Sequence, residues 1–109
     1  MAYNQYIADR VIAVFDALHP YSSKKMFGGI GIMVNRNMCI GVMKDSILVR
    51  VGKDEYQHTL TLDGAAPFDF TGKPLTGWVY VDESAIEDEQ SLLKWINKGL
   101  DFVLTLPAK

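Results

Sequence analysis

The stretch that most limits what this chain can become is Lys24-Lys25-Met26-Phe27-Gly28-Gly29-Ile30-Gly31-Ile32-Met33-Val34. It is an apolar run of strand length with glycine at three interior positions, where a strand ordinarily wants bulk. Bare positions inside a strand have three physical uses: a bulge, the close approach of another backbone, or room for a ligand. Ser22-Ser23 precede the run and Asn35-Arg36-Asn37 follow it, and asparagine tolerates the positive φ of a tight turn. The run therefore predicts one long strand over Lys24 to Val34 that reverses at Asn35, with something pressed against its glycines.

Around that strand the pattern predicts an α+β domain. Ile7, Val11, Val14, Phe15 and Leu18 recur at three- and four-residue spacing from Asn4 to Leu18, the signature of an amphipathic helix. His19-Pro20 ends it. Met38 to Met43 and Ile47 to Val51 continue the glycine strand as a three-stranded antiparallel meander. Leu48 and Arg50 share one face of its last strand and Ile47, Val49 and Val51 the other, so one face is expected to be more solvated. Gly52 breaks the sheet, and Lys53 to Leu60 forms a short helix with Asp54 and Glu55 in its first turn. Pro67 to Phe70, the turn Thr71 to Pro74 and Trp78 to Val81 give a second hairpin. A closing helix spans about Glu87 to Leu106, with Ser84 as cap and Glu87 in capping-box position. Its apolar residues fill an arc of about 200°, wider than one sheet face requires. That surplus predicts a second surface, either the first helix or an equivalent subunit. Gly99 lies inside the arc at a cost of about 1 kcal/mol relative to alanine, so a close backbone neighbour is expected there.

With 109 residues the chain suffices for a single domain, residues 1–109, and one core. No run approaches the length of a membrane span, and Met1 to Gln5 shows no secretory signal, so a cytoplasmic protein is expected. A net charge of −2 gives no general attraction to nucleic acid or anionic lipid. Residues 1–53 nevertheless carry seven Lys and Arg against three acids, and residues 54–109 four Lys against ten.

The motifs Lys25-Met26-Phe27-Gly28-Gly29-Ile30-Gly31, Gly77-Trp78-Val79-Tyr80-Val81 and Leu92-Leu93-Lys94-Trp95, with the tail Leu104 to Lys109, resemble the TfoX N-terminal domain family. The resemblance covers nearly the whole chain. It implies the order α-β-β-β-α-β-β-α, with a single antiparallel sheet covered by helices, similar to the secretion-chaperone fold. Two-domain members are regulators of natural competence, thought to act beside the cyclic-AMP receptor protein. A chain ending at Lys109 corresponds to a stand-alone member without their C-terminal helical domain. The family motif residues here are Met26, Phe27, Gly28, Gly29, Gly31, Trp78 and Trp95, in structural or interaction roles, and Lys24 and Lys25 are candidates for partner contact.

For chemistry the residues offer little. The glycines lack both the spacing and the following helix of a dinucleotide fingerprint, and no P-loop Lys-Ser or Lys-Thr is present. Cys39 is the sole cysteine and His19 and His58 the sole imidazoles, with no spacing that makes a Cys-His pair or a metal set. Asp82, Glu83, Glu87, Asp88 and Glu89 suit a helix start. Met26, Met33, Met38 and Met43 suit core filling before an adaptable surface. The expectation is a non-enzymatic regulatory or adaptor domain without cofactor or metal, homodimeric, with a protein partner such as a transcription regulator. The alternatives are a ligand binder or enzyme built on Gly28 to Gly31 and Cys39, and a weak nucleic-acid binder using Lys24, Lys25, Arg36, Lys44 and Lys73.

Overall fold

A computed structural model describes residues 3–26, 28–69 and 72–108, and of Met26 the backbone alone. Phe27, Phe70, Thr71 and Lys109, which the sequence places in a motif, a strand, a turn and the tail, lie outside the described residues. The elements are α1 (Gln5–Leu18), β1 (Ser22–Met26), β2 (Gly29–Val34), β3 (Asn37–Val42), β4 (Ser46–Arg50), α2 (Lys53–Thr59), β5 (Ala65–Asp69), β6 (Pro74–Asp82), a 3-10 turn (Glu83–Ile86) and α3 (Glu89–Val103). This is the expected α+β order with the glycine strand folded in two. Met26 pairs with Gly29, so the chain reverses within two residues, and Gly28 takes φ 72°, which glycine adopts without a Cβ penalty. The reversal at Asn35-Arg36, with φ of 52° and 67°, is where the sequence puts it.

All six strands join one antiparallel sheet in the order β1-β2-β3-β4-β6-β5. The alternation of side chains sends Ile32, Ile40, Val42, Ile47, Val49, Val79 and Val81 to one face, where they share a core with Val11 and Phe15 of α1, Tyr56 of α2 and Leu92, Ile96 and Val103 of α3. All three helices thus lie on the same side. The other face carries the row Lys24, Gly31, Gly41, Leu48, Tyr80 and Ala66, in register across all six strands. Leu48, in the middle of this row, is only 2% exposed.

A bulge breaks the β2–β3 register: Ile32 faces Ile40 and Met33 faces Met38, so Cys39 is the extra residue. The bulge turns Cys39 toward the helices beside Ile40. Both residues approach Gly99 of α3, where an added Cβ would sit 3.2 Å from the Cys39 carbonyl oxygen, from its Sγ and from Ile40 Cδ1. The close neighbour expected at Gly99 is therefore the bulged strand.

The arc of α3 is less demanding than its composition suggests. Leu92, Trp95, Ile96, Leu100 and Val103 are buried, while Leu93 and Leu104 are 38% and 46% exposed. Leu93 and Leu104 are the part of the arc that the rest of the chain leaves uncovered. Ser84 is not the cap. Asp82 starts the 3-10 turn by accepting from the Ser84 backbone N–H (2.9 Å), and Asp88 caps α3 by accepting from Ser91 N–H (3.1 Å) and Oγ–H (2.7 Å). A carboxylate caps better than a hydroxyl near the positive end of the helix dipole.

The Ser91 hydroxyl, then the Ser91 backbone N–H, hold the Asp88 carboxyl below its ordinary range. A lowered folded value means that the stabilisation is full above the unfolded carboxylate pKa and is lost as pH falls through the folded value. Asp88→Ala is therefore expected to be less stable than the parent at neutral pH, and the gap is expected to close as urea titrations are carried into acid. An equal gap at every pH would show that the charge plays no part in the cap.

Candidate functional site

Apolar residues outside the principal core gather on the helix-free face. Leu48 and Phe68 are buried there, with Met33, Met38, Trp78 and Tyr80 half-buried around them. Phe68 meets Tyr80 edge-on at 6.1 Å between ring centroids. Met38 covers the bare backbone of Gly41, where a Cβ would come within 2.9 Å of its Cε. Met33 and Met38 thus serve the outer face, where the bare backbone of Gly41 is covered by a methionine.

The family-motif residues do not form one site. Met26, Gly28, Gly29 and Gly31 belong to the β1–β2 hairpin, with Lys24 and Lys25 exposed on its edge strand. Gly29 is bare for a definite reason, since a Cβ there would stand 2.3 Å from the Val42 carbonyl oxygen. Trp95 is 6% exposed, inside the core under α3. Trp78 lies four strands away from β1, on β6.

The basic turns do not converge either. Arg36 and Lys44 sit at opposite ends of β3, separated by its six residues, about 17–20 Å. Lys73 lies on the β5–β6 turn.

Cys39 is buried, and that burial, only partly offset by the Arg50 charge, pushes its thiol up to about 12. A thiol this basic stays protonated at neutral pH and cannot act as a thiolate nucleophile. His19 caps the end of α1 by donating its backbone N–H to the Phe15 carbonyl (3.0 Å), its Nδ1 lies 2.8 Å from the Pro20 carbonyl oxygen, and His58 is exposed on α2. In the folded protein, Cys39 is expected to react with Ellman's reagent only as fast as the fold opens. Rapid labelling under native conditions would contradict the burial.

The sequence gives no hint of a third cluster, at the end of the sheet where β4 stops. Arg50 pairs with Trp78, and its guanidinium lies 5.1 Å from the Trp78 ring and 5.6 Å from the ring of Phe102 on α3. Gly77, at φ 94°, turns its carbonyl to accept from both Val51 N–H (2.8 Å) and Gly52 N–H (3.1 Å). Gly52, at φ 81°, leaves space for Phe102, whose ring would be 2.4 Å from a Cβ there. Phe102 in turn walls an open groove of about 710 Å³ between α2 and the end of α3. Val51 and Phe102 supply apolar surface to it, and Lys53, Lys98, Asp54, Glu55 and Asp101 its charges. The signal in the sequence is one cation closing a β-branched strand just before a glycine, but the partner rings lie 28 and 52 positions onward.

Among the described residues no group of three or more His, Cys, Asp or Glu is placed to hold a metal ion. None of the helices described is long and apolar enough to cross a membrane. Compared with known families, residues 13–103 match the model of the TfoX N-terminal domain. No curated protein matches the chain.

Proposed function

The chain belongs to the TfoX N-terminal domain family, and from that premise we propose that it is a non-enzymatic regulatory or adaptor domain working by protein–protein contact, first with a second copy of itself. The observation that carries this reading is the apolar helix-free face, with Met33, Met38, Leu48, Phe68, Trp78 and Tyr80 gathered outside the main core. Methionine and aromatic side chains of this kind suit contact surfaces that must adapt.

A second copy fits the face by charge and by size. The sheet runs from the basic half of the chain at β1 to the acidic half at β5, so a two-fold, face-to-face pairing sets Lys24 of one copy over the β5 edge of the other, where Asp69 is exposed. Like charges then avoid one another. Six strands about 4.8 Å apart and 17–20 Å long give a footprint on the order of 400–500 Å² per copy, below the range of stable specific interfaces and in that of weak, transient ones. That size implies a reversible dimer. The free thiol suits a reducing compartment such as the cytoplasm.

Sedimentation equilibrium over a concentration series tests the reading. The parent is expected to pass from monomer to dimer, and Met33→Gln/Met38→Gln to remain monomeric while keeping the parent's circular dichroism spectrum. A parent that stays monomeric throughout, or a double variant that dimerises equally well, removes the self-association.

A further inference from the structure

We propose that the free edge of the sheet, β1, takes an extended acidic segment of another protein as an added strand. This goes beyond the self-association reading and does not depend on it. β1 has β2 on one side only, and in an antiparallel pair alternate residues turn their N–H and C=O away from the neighbour. Those groups are a template for one more strand. Ser22, Ser23, Lys24 and Lys25 are all exposed, and among the described residues none of them bonds outside the β1–β2 pair. The opposite edge is closed to the same use. There β5 carries Pro67, which has no N–H to offer, and its register with β6 shifts between Pro67 and Asp69.

Charge decides what the open edge accepts. Lys24 lies in the row of Gly31 and Leu48 on the helix-free face, and Lys25 in the row of Ile30 and Val42 on the helix side, so an added strand meets one ammonium on each of its faces. Neither lysine is paired with a carboxylate among the described residues. Two β1 strands joined two-fold about their middle residue would set Lys24 against Lys24, and like charges directly opposite destabilise a strand pair. β5 of another copy brings Asp69, but Pro67 and the shifted register spoil the ladder. The occupant that fits is a strand of a different chain with two consecutive acids, because consecutive residues point to opposite faces and so reach Lys24 and Lys25 in turn. Threonine or serine beside the acids suits the hydroxyls of Ser22 and Ser23 across the ladder.

The test is an NMR titration of the intact chain with the peptide acetyl-Thr-Val-Glu-Glu-Val-Thr-amide. Two further peptides run in parallel, one with Lys-Lys in place of Glu-Glu and one with proline in place of both valines, which removes a ladder donor in either register and keeps the charge. The acidic peptide is expected to bind at millimolar concentration, to shift the amides of Ser22 to Met26, and to slow hydrogen exchange at alternate amides among them, the ones not already bonded to β2. The lysine and proline peptides are each expected to bind about tenfold more weakly or not at all. Lys24→Glu/Lys25→Glu, with an unchanged circular dichroism spectrum, is expected to lose the acidic peptide and to take the lysine one. No shifts, or shifts confined to other elements, overturn the site. Equal binding of the proline peptide overturns strand addition, and equal binding of the lysine peptide overturns the acidic partner. Met33→Gln/Met38→Gln is expected to bind the acidic peptide as the parent does, and loss of binding there would overturn the independence of the edge from the self-associating face.

Discussion

Gly29→Ala is expected to cost about 3 kcal/mol of stability, the upper end of what overpacking exacts, because the added carbon would meet a backbone atom. Its Cβ would stand 2.3 Å from the Val42 carbonyl oxygen and 3.0 Å from Met43 Sδ. The methionine can rotate away. The carbonyl cannot, since it belongs to β3, which is fixed on its other side by β4. Relief requires the β2–β3 pair to separate at its first rung, where Ile30 faces Val42. Against a total stability of roughly 5–15 kcal/mol this is a large fraction. It corresponds to a fall in Tm of about 10–20 °C in a chain of this size. Gly72→Ala provides the comparison. Unlike Gly29 it sits at positive φ, 85°, but nothing lies within 4 Å of its Cβ, so backbone strain alone should cost about 1 kcal/mol. Thermal melts of the two variants decide the matter. Equal losses would mean that the contact with the Val42 carbonyl costs no more than the backbone strain of a turn, and that β2 and β3 separate there cheaply.

The glycine run shows both what residues reveal by themselves and where pairing must be known. Its bareness correctly signals a close neighbour at Gly29, because an absent side chain in a strand has few physical uses. That Gly28 is a turn is harder to read, since an eleven-residue apolar run looks like one strand until Met26 is seen paired with Gly29. Strands of five or six residues are commoner than strands of eleven, and this alone favoured a break. Local periodicity likewise found α1, α2 and α3, with Leu93 and Leu104 at the exposed margin of the last helix's apolar arc. Asp82 and Asp88 took the capping roles because two separate elements start there, a 3-10 turn and α3, each with its own aspartate. The Arg50 cluster was the least legible part. Its rings are brought in by the β4–β6 register and by the last turn of α3, neither of which leaves a mark near position 50. Single-sequence patterns report a residue's own element, whereas this corner exists only where three elements meet.

Gly99→Val is the second change with a large expected loss, again about 3 kcal/mol, and it tests how α3 seats on the sheet. Even a methyl at this position would touch three atoms at 3.2 Å, and valine adds two further carbons and a poorer helix propensity. The bulge at Cys39 sets this distance, because the extra residue pushes a carbonyl and a thiol toward the helix together. Alanine is the finer probe. Its gain of about 1 kcal/mol in helix propensity opposes the contact, so the Gly99→Ala change alone is expected to be small. Cys39→Ala removes Sγ and leaves the carbonyl in place. In that background Gly99→Ala is expected to be better tolerated by about 1 kcal/mol, a coupling typical of residues in direct contact. Urea unfolding of the parent, the two single variants and the double variant measures this coupling. Additivity would assign the crowding to the Cys39 carbonyl and Ile40 alone, and the thiol would then be a bystander in the packing of α3 on β3.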